Sequence, residues 1–103
     1  MSAQLDLLKK ELAEGKAQIF DVRENDEWND GHLAKASFTP LSELRVGLEP
    51  ENKDATLKTY LYCRSGNRVH MAKPILESMG YQNVIALQEG FDELVDNGFE
   101  AKE

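Results

Sequence analysis

The chain has 103 residues, of which 41% are hydrophobic and 30% are charged, and its formal net charge is −7. This length and balance predict a single globular domain, residues 1–103, rather than an intrinsically disordered chain. The excess of acid disfavours nucleic acid and anionic membrane surfaces as partners, since both require a basic face.

The cellular context follows from segments that the sequence lacks. No apolar run approaches the roughly 20 residues that span a bilayer. The first six residues do not have the basic and then apolar layout of a signal peptide. The single cysteine excludes an internal disulfide and the usual structural zinc sites. We therefore expect a cytoplasmic domain with no metal.

The first half of the chain predicts short alternating elements. Leucines at helical spacing predict a first helix, stopped by Gly15, and residues 18–22 predict the first strand. Asn25 is positioned to cap a short acidic helix that Gly31 ends. Residues 33–41 predict a short strand entering a loop.

The second half continues the alternation. Ser42 is positioned to cap a helix that runs through Leu48, and residues 49–54 predict a surface loop. Residues 56–62 predict the strongest strand, and a helical pattern follows it up to Gly80. Residues 83–87 predict the last strand, and Gly98 ends a final helix. Pro74 lies inside the helical pattern, so we expect a kink there or a helix that starts later.

This alternation predicts an α/β fold with a mostly parallel sheet covered by helices on both faces. Reactive sites in such sheets lie outside the carboxyl ends of the strands. Cys63 directly follows the strand predicted over residues 56–62. It is therefore the principal candidate for chemistry.

The segment after Cys63 is suited to holding an anion. The backbone N–H groups of residues 64–68 can converge on one point if the segment curls, next to the positive end of the following helix. Arg64 and Arg68 add two permanent positive charges. These features favour the thiolate, the reactive form of a cysteine. The same donors suit a persulfide on Cys63.

The remaining residues of this segment, the cysteine loop (Cys63 to Arg68), have conformational roles. Gly66 permits the positive φ that a curled loop needs. Ser65 and Asn67 can brace the loop through local hydrogen bonds. With the backbone amides, we expect these side chains and the two arginines to form the binding site for an anionic substrate.

Other polar residues favour structural roles. No histidine immediately precedes Cys63, so the sequence shows no Cys–His pair. His32 is expected to make a structural hydrogen bond, and His70 to be exposed on a helix. Asp21 and Arg23, at the end of the first strand, predict a structural salt bridge or a loop brace.

Taken together, these motifs resemble the single-domain rhodanese family across residues 17–97. The matching blocks, in order along the chain, are Asp21-Val22-Arg23, Glu27-Trp28-Asn29-Asp30-Gly31-His32-Leu33, Cys63-Arg64-Ser65-Gly66-Asn67-Arg68, Gly80-Tyr81-Gln82-Asn83-Val84 and Glu89-Gly90-Phe91. The resemblance implies a five-stranded parallel sheet with helices on both sides. It implies thiosulfate sulfurtransferase chemistry: Cys63 takes the outer sulfur of thiosulfate and passes it to cyanide or a thiol. No organic cofactor is implied.

Two departures from the family pattern concern the substrate. Ala34-Lys35-Ala36 replaces the usual Pro-Gly-Ala, and Glu89 replaces the first glycine of a late Gly-Gly pair. If Glu89 faces the pocket, it disfavours an anionic donor. Sulfur transfer is therefore a firmer expectation than the identity of the substrate.

Three other functions compete with thiosulfate chemistry. A sulfur relay would take its persulfide from a protein donor. A phosphatase or arsenate reductase needs five residues between its cysteine and arginine, whereas four separate Cys63 from Arg68. A non-catalytic rhodanese-like binding or regulatory module would usually have lost the cysteine or the loop charges.

Overall fold

Strands and helices alternate along the chain as the sequence predicts. The computed structural model describes residues 3–51 and 53–103. The elements, in chain order, are α1 (Ala3–Ala13), β1 (Ala17–Asp21), α2 (Asn25–Asp30), β2 (His32–Leu33), β3 (Ser37–Phe38), α3 (Leu41–Arg45), β4 (Lys58–Tyr62), α4 (Val69–Ser78), β5 (Val84–Ala86), α5 (Phe91–Asp96) and β6 (Ala101–Lys102). No helix in the described ranges has both the length and the apolar character that a membrane crossing requires.

The central sheet is parallel, and its strand order is β3-β1-β4-β5. β1 and β4 form its centre and are paired from Ala17 and Lys58 to Asp21 and Tyr62. The predicted count of five strands is wrong, because this sheet has four. β2 and β6 instead pair antiparallel as a separate ribbon, with His32 opposite Lys102.

Helices cover both faces of the sheet, as predicted. Successive side chains of β4 point to opposite faces, with Leu61 in one core and Tyr60 and Tyr62 in the other. The Leu61 core packs against apolar residues of α3 and α4, and the tyrosine core packs against residues of α1 and α5. This layering confirms the α/β architecture and leaves the carboxyl edge of β4 to the cysteine loop.

Two predicted helix caps are wrong. Glu24, not Asn25, is the N-cap of α2, and its backbone amide donates to Oε1 of Glu27 at 3.1 Å. Pro40 precedes α3, so Ser42 lies inside that helix, where its hydroxyl donates to Oε1 of Glu24 at 2.6 Å. In both cases the long carboxylate of Glu24 or Glu27 replaces the short polar side chain expected at the cap.

Helix α4 begins directly after the cysteine loop. It starts at Val69 and contains Pro74 as an interior residue. The alternative of a later start is therefore wrong, and the kink stays a prediction. Because α4 starts at Val69, its first amides face the end of the loop, where they can act on Cys63.

Candidate active site

Cys63 lies at the carboxyl end of β4 and belongs to the core between the sheet and α4. Its side chain is fully buried, with 0% of the residue exposed. The backbone N–H of Phe91 donates to the carbonyl oxygen of Cys63 at 2.9 Å. The sulfur is thus held at the edge of the sheet where α/β proteins place reactive groups.

The cysteine loop curls around the sulfur. The amide of Gly66 donates to Sγ of Cys63 at 3.2 Å. Gly66 has a φ of +82°, the conformation that the sequence predicts, and a Cβ there would lie only 2.6 Å from the carbonyl oxygen of Gln88. Glycine is therefore required at this position for its backbone conformation and for the close approach of a second chain segment.

The hydrogen bonds at Sγ determine the ionisation of Cys63. Burial raises its pKa, but backbone hydrogen bonds from Val69, Ser65, Arg68 and Gly66 lower it, and the net pKa lies below the ordinary value. A carboxylate or thiolate that accepts several backbone N–H bonds is stabilised in its charged form. The arrangement thus holds the sulfur as an anion without a histidine.

Arg68 has a partner that sequence reasoning missed. Its guanidinium makes two parallel hydrogen bonds to the carboxylate of Glu27, at 2.6 and 2.7 Å. This pairing, working against the effect of burial, lowers the pKa of Glu27 to about 2. The bidentate geometry fixes the last residue of the cysteine loop to α2. The signal in the sequence was Glu27 itself, an acid in one of the matching blocks.

The other loop side chains are exposed. Arg64, Ser65 and Asn67 lie at the surface, and the Asn67 amide donates to Oγ of Ser65 at 3.4 Å, which confirms the predicted brace. Arg64 forms no ion pair within the described ranges and lines a cavity of about 200 Å³ beside the loop. Arg64 is therefore the loop guanidinium free to meet a ligand.

A second segment, residues 88–91, supports the cysteine loop from outside. A Cβ on Gly90 would lie 1.8 Å from the carbonyl oxygen of Arg64 and 3.2 Å from the amide nitrogen of Ser65. The backbone of Gly90 therefore packs directly on the Arg64–Ser65 peptide. The sequence does not show this contact, because it depends on how two loops distant in sequence come together.

A buried network lies below the loop. Arg23 pairs with Asp21 at 2.8 Å and donates to the carbonyl oxygen of Gly31 at 2.6 Å. The hydroxyl of Tyr62 donates to the same carboxylate at 2.8 Å. The guanidinium of Arg23 also lies 4.5 Å from the ring centre of Phe91. These contacts confirm the structural salt bridge predicted for Asp21 and Arg23.

The two histidines have the structural roles expected of them. Nδ1 of His32 is hydrogen-bonded to the carbonyl oxygen of Trp28 at 3.0 Å, and the two rings stack at 3.5 Å. His70 is exposed on α4. In the described part of the chain, no group of three or more His, Cys, Asp or Glu residues is arranged to hold a metal ion.

The comparison with protein families identifies this arrangement. The model of the rhodanese-like domain matches residues 4–97. The chain belongs to the rhodanese-like domain family. The match covers every element from α1 to α5 that positions the cysteine loop.

Relatives place this rhodanese-like domain among proteins of several kinds. The uncharacterized protein YqhL of Bacillus subtilis is 38% identical over 77 residues, 74% of this chain and 59% of that protein. The tRNA uridine(34) hydroxylase of Chlamydia caviae is 30% identical over 87 residues, 79% of this chain and 26% of that enzyme. The structure of the human single-domain sulfurtransferase TSTD1 superposes with a TM-score of 0.77 at 27% identity, covering 89% of this chain and 92% of that one. The rhodanese-like domain therefore occurs both in a single-domain sulfurtransferase and as a quarter of a larger enzyme.

Proposed function

We propose that the protein is a sulfurtransferase that moves a sulfane sulfur from thiosulfate or a persulfide donor to cyanide or a thiol, through a persulfide on Cys63. The observation that carries this proposal is the set of backbone amides converging on the buried sulfur. Membership of the rhodanese-like family and the sulfurtransferase among its structural neighbours support it. Oriented backbone donors stabilise a localised negative charge without reorganising during the reaction.

In the first half-reaction the thiolate of Cys63 attacks the outer sulfur of thiosulfate. The sulfur–sulfur bond of thiosulfate breaks, and sulfite leaves with the bonding electron pair. Cys63 keeps the outer sulfur as a persulfide anion. In the second half-reaction cyanide attacks that sulfur and leaves as thiocyanate, which restores the thiolate. The loop amides stabilise the negative charge in both resting states.

Substrate binding depends on local charge, because the chain as a whole carries a net charge of −7. Salt screens that charge beyond a Debye length of about 8–10 Å. Within that distance the free guanidinium of Arg64 and the loop amides attract an anion, whereas Arg68 is already neutralised by Glu27. In this proposal Arg64 binds the donor, and Arg68 holds the shape of the loop.

The purified protein is expected to form thiocyanate from thiosulfate and cyanide, and Cys63→Ser is expected to lose this activity by roughly a thousandfold or more. Serine keeps the size of the side chain, so unchanged thermal unfolding of the variant isolates the chemical effect. The rate of thiocyanate formation measures the outcome. Equal rates in the two proteins would overturn the proposal.

Burial of Cys63 favours a second candidate, a non-catalytic binding module, because the sulfur has no exposed surface. Intact mass separates the two functions. After incubation with thiosulfate or a persulfide source, the sulfurtransferase gains the mass of one sulfur at Cys63 and the binding module does not. An adduct from the persulfide source alone identifies a relay that takes its sulfur from a persulfide.

A further inference from the structure

Glu89 carries an unusual polar group. The residue is half-buried, and its Oε1 is buried yet accepts no hydrogen bond from any residue in the described ranges. A carboxylate oxygen removed from water without a donor is unfavourable. Such an oxygen is suited to accept a hydrogen bond from a bound ligand.

The position of Glu89 connects it with the candidate active site. Its neighbour Gln88 approaches Gly66, and its other neighbour Gly90 packs on the Arg64–Ser65 peptide. Glu89 thus stands between two contacts with the cysteine loop. Its backbone lies within roughly one Debye length, about 8 Å, of that loop, so its charge acts on a ligand bound there.

The cavity beside the loop has the same sign of charge. Asp30, Asp92 and Arg64 line it, and none of the three forms an ion pair within the described ranges. Its other two charged residues, Arg23 and Glu27, already have partners. The unpaired groups are therefore two carboxylates and one guanidinium, which favours a ligand that carries a positive group.

From these two observations we infer that the sulfur acceptor of Cys63 is a thiol bearing an ammonium or guanidinium group, and that Glu89 is the residue that selects it. The inference rests on the proposed function. Thiosulfate has only hydrogen-bond acceptors, whereas an ammonium group supplies the donor that Oε1 of Glu89 lacks. Such a thiol is either a small molecule or a cysteine flanked by basic residues in a protein.

The transfer needs no further oxidant or reductant. The acceptor sulfur attacks the outer sulfur of the Cys63 persulfide, and the bond between Sγ and that outer sulfur breaks. Cys63 leaves as a thiolate, and the acceptor becomes a persulfide that keeps the proton of the original thiol. Glu89 affects this step only by binding the positive group of the acceptor.

Three small thiols of similar size test the selection: cysteamine, which is cationic, 2-mercaptoethanol, which is neutral, and 3-mercaptopropionate, which is anionic. Cys63 is first loaded with sulfur, and intact mass follows the loss of that sulfur to each thiol. Because the thiols differ in intrinsic reactivity, the readout for each is the rate of the native protein divided by the rate of Glu89→Gln. Glu77→Gln, an exposed site near the far end of α4, is the charge-matched control.

We expect this ratio to be about tenfold higher for cysteamine than for 3-mercaptopropionate, with 2-mercaptoethanol between them. The Glu77→Gln control should show no such trend. Two cysteine tripeptides, flanked by lysine or by glutamate, separate a protein source from a small-molecule source: a lysine preference assigns the acceptor to a protein. Ratios that are equal for all three thiols would overturn the inference while leaving sulfur transfer intact. A Cys63 that takes up no sulfur would overturn the proposed function as well.

Discussion

Replacing Gly90 by alanine is expected to reduce sulfur loading of Cys63 by about a hundredfold and to destabilise the fold by about 1–3 kcal/mol. The new Cβ would lie 1.8 Å from the carbonyl oxygen of Arg64 and 2.6 Å from its carbonyl carbon. Both atoms are backbone, so no side chain can rotate away to make room. The cysteine loop must move, and its amides then lose their alignment on Sγ of Cys63.

The cause of this effect is steric rather than conformational. Gly90 has a φ of −89°, which alanine adopts readily. Gly47 offers the matched control, because its φ is +86° and no heavy atom lies within 4 Å of an added Cβ. Gly47→Ala is expected to cost about 1–2 kcal/mol of backbone strain with normal sulfur loading of Cys63. Urea unfolding and intact mass give the two readouts, and normal loading of Gly90→Ala would contradict this account of the loop.

The second large effect is expected at the buried ion pair. Arg23→Met should lower the free energy of unfolding by about 3–5 kcal/mol, because it leaves the carboxylate of Asp21 buried without its cation. Asp21 is completely buried and Arg23 nearly so. Methionine fills much of the volume of the arginine side chain, so the loss of charge dominates the loss of packing.

A double variant separates the cost of an unpaired charge from the value of the pair. Asp21→Leu combined with Arg23→Met removes both charges, and we expect it to be more stable than Arg23→Met alone. Lys16→Met provides the surface control, since the Lys16–Glu14 pair is 71% and 41% exposed and should contribute less than about 1 kcal/mol. Chemical denaturation measures all three variants. A double variant less stable than the single one would contradict the explanation.

The sequence is sufficient for the central sheet and for the position of the cysteine loop. The apolar runs that became β1, β4 and β5 are local signals, and so is the glycine whose positive φ curls the loop. The ribbon of β2 and β6 could not be predicted, because two strands of two residues each have no periodicity to detect. Its pairing joins His32 to Lys102, which are far apart along the chain.

The parts of the site that escaped prediction all depend on contacts between distant segments. The sequence shows the positive charge of Arg68 but not that Glu27 neutralises it. It shows Gly90 as part of a motif but not its packing on the Arg64–Ser65 peptide. The burial of Cys63 is likewise a property of the assembled sheet and helix. Local chemistry was therefore readable, whereas the allocation of charges required the fold.

The central claim is that the loop amides hold the sulfur of Cys63 as a thiolate, and the pH dependence of its alkylation tests this most directly. The chain has one cysteine, so iodoacetamide labelling reports on Cys63 alone. The same protein in denaturant is the reference and should give a midpoint near the ordinary thiol pKa of about 8.5. Because the amides lower the pKa in the folded protein, we predict a midpoint below that of the denatured chain. A folded-state midpoint at or above the denatured one would contradict the claim.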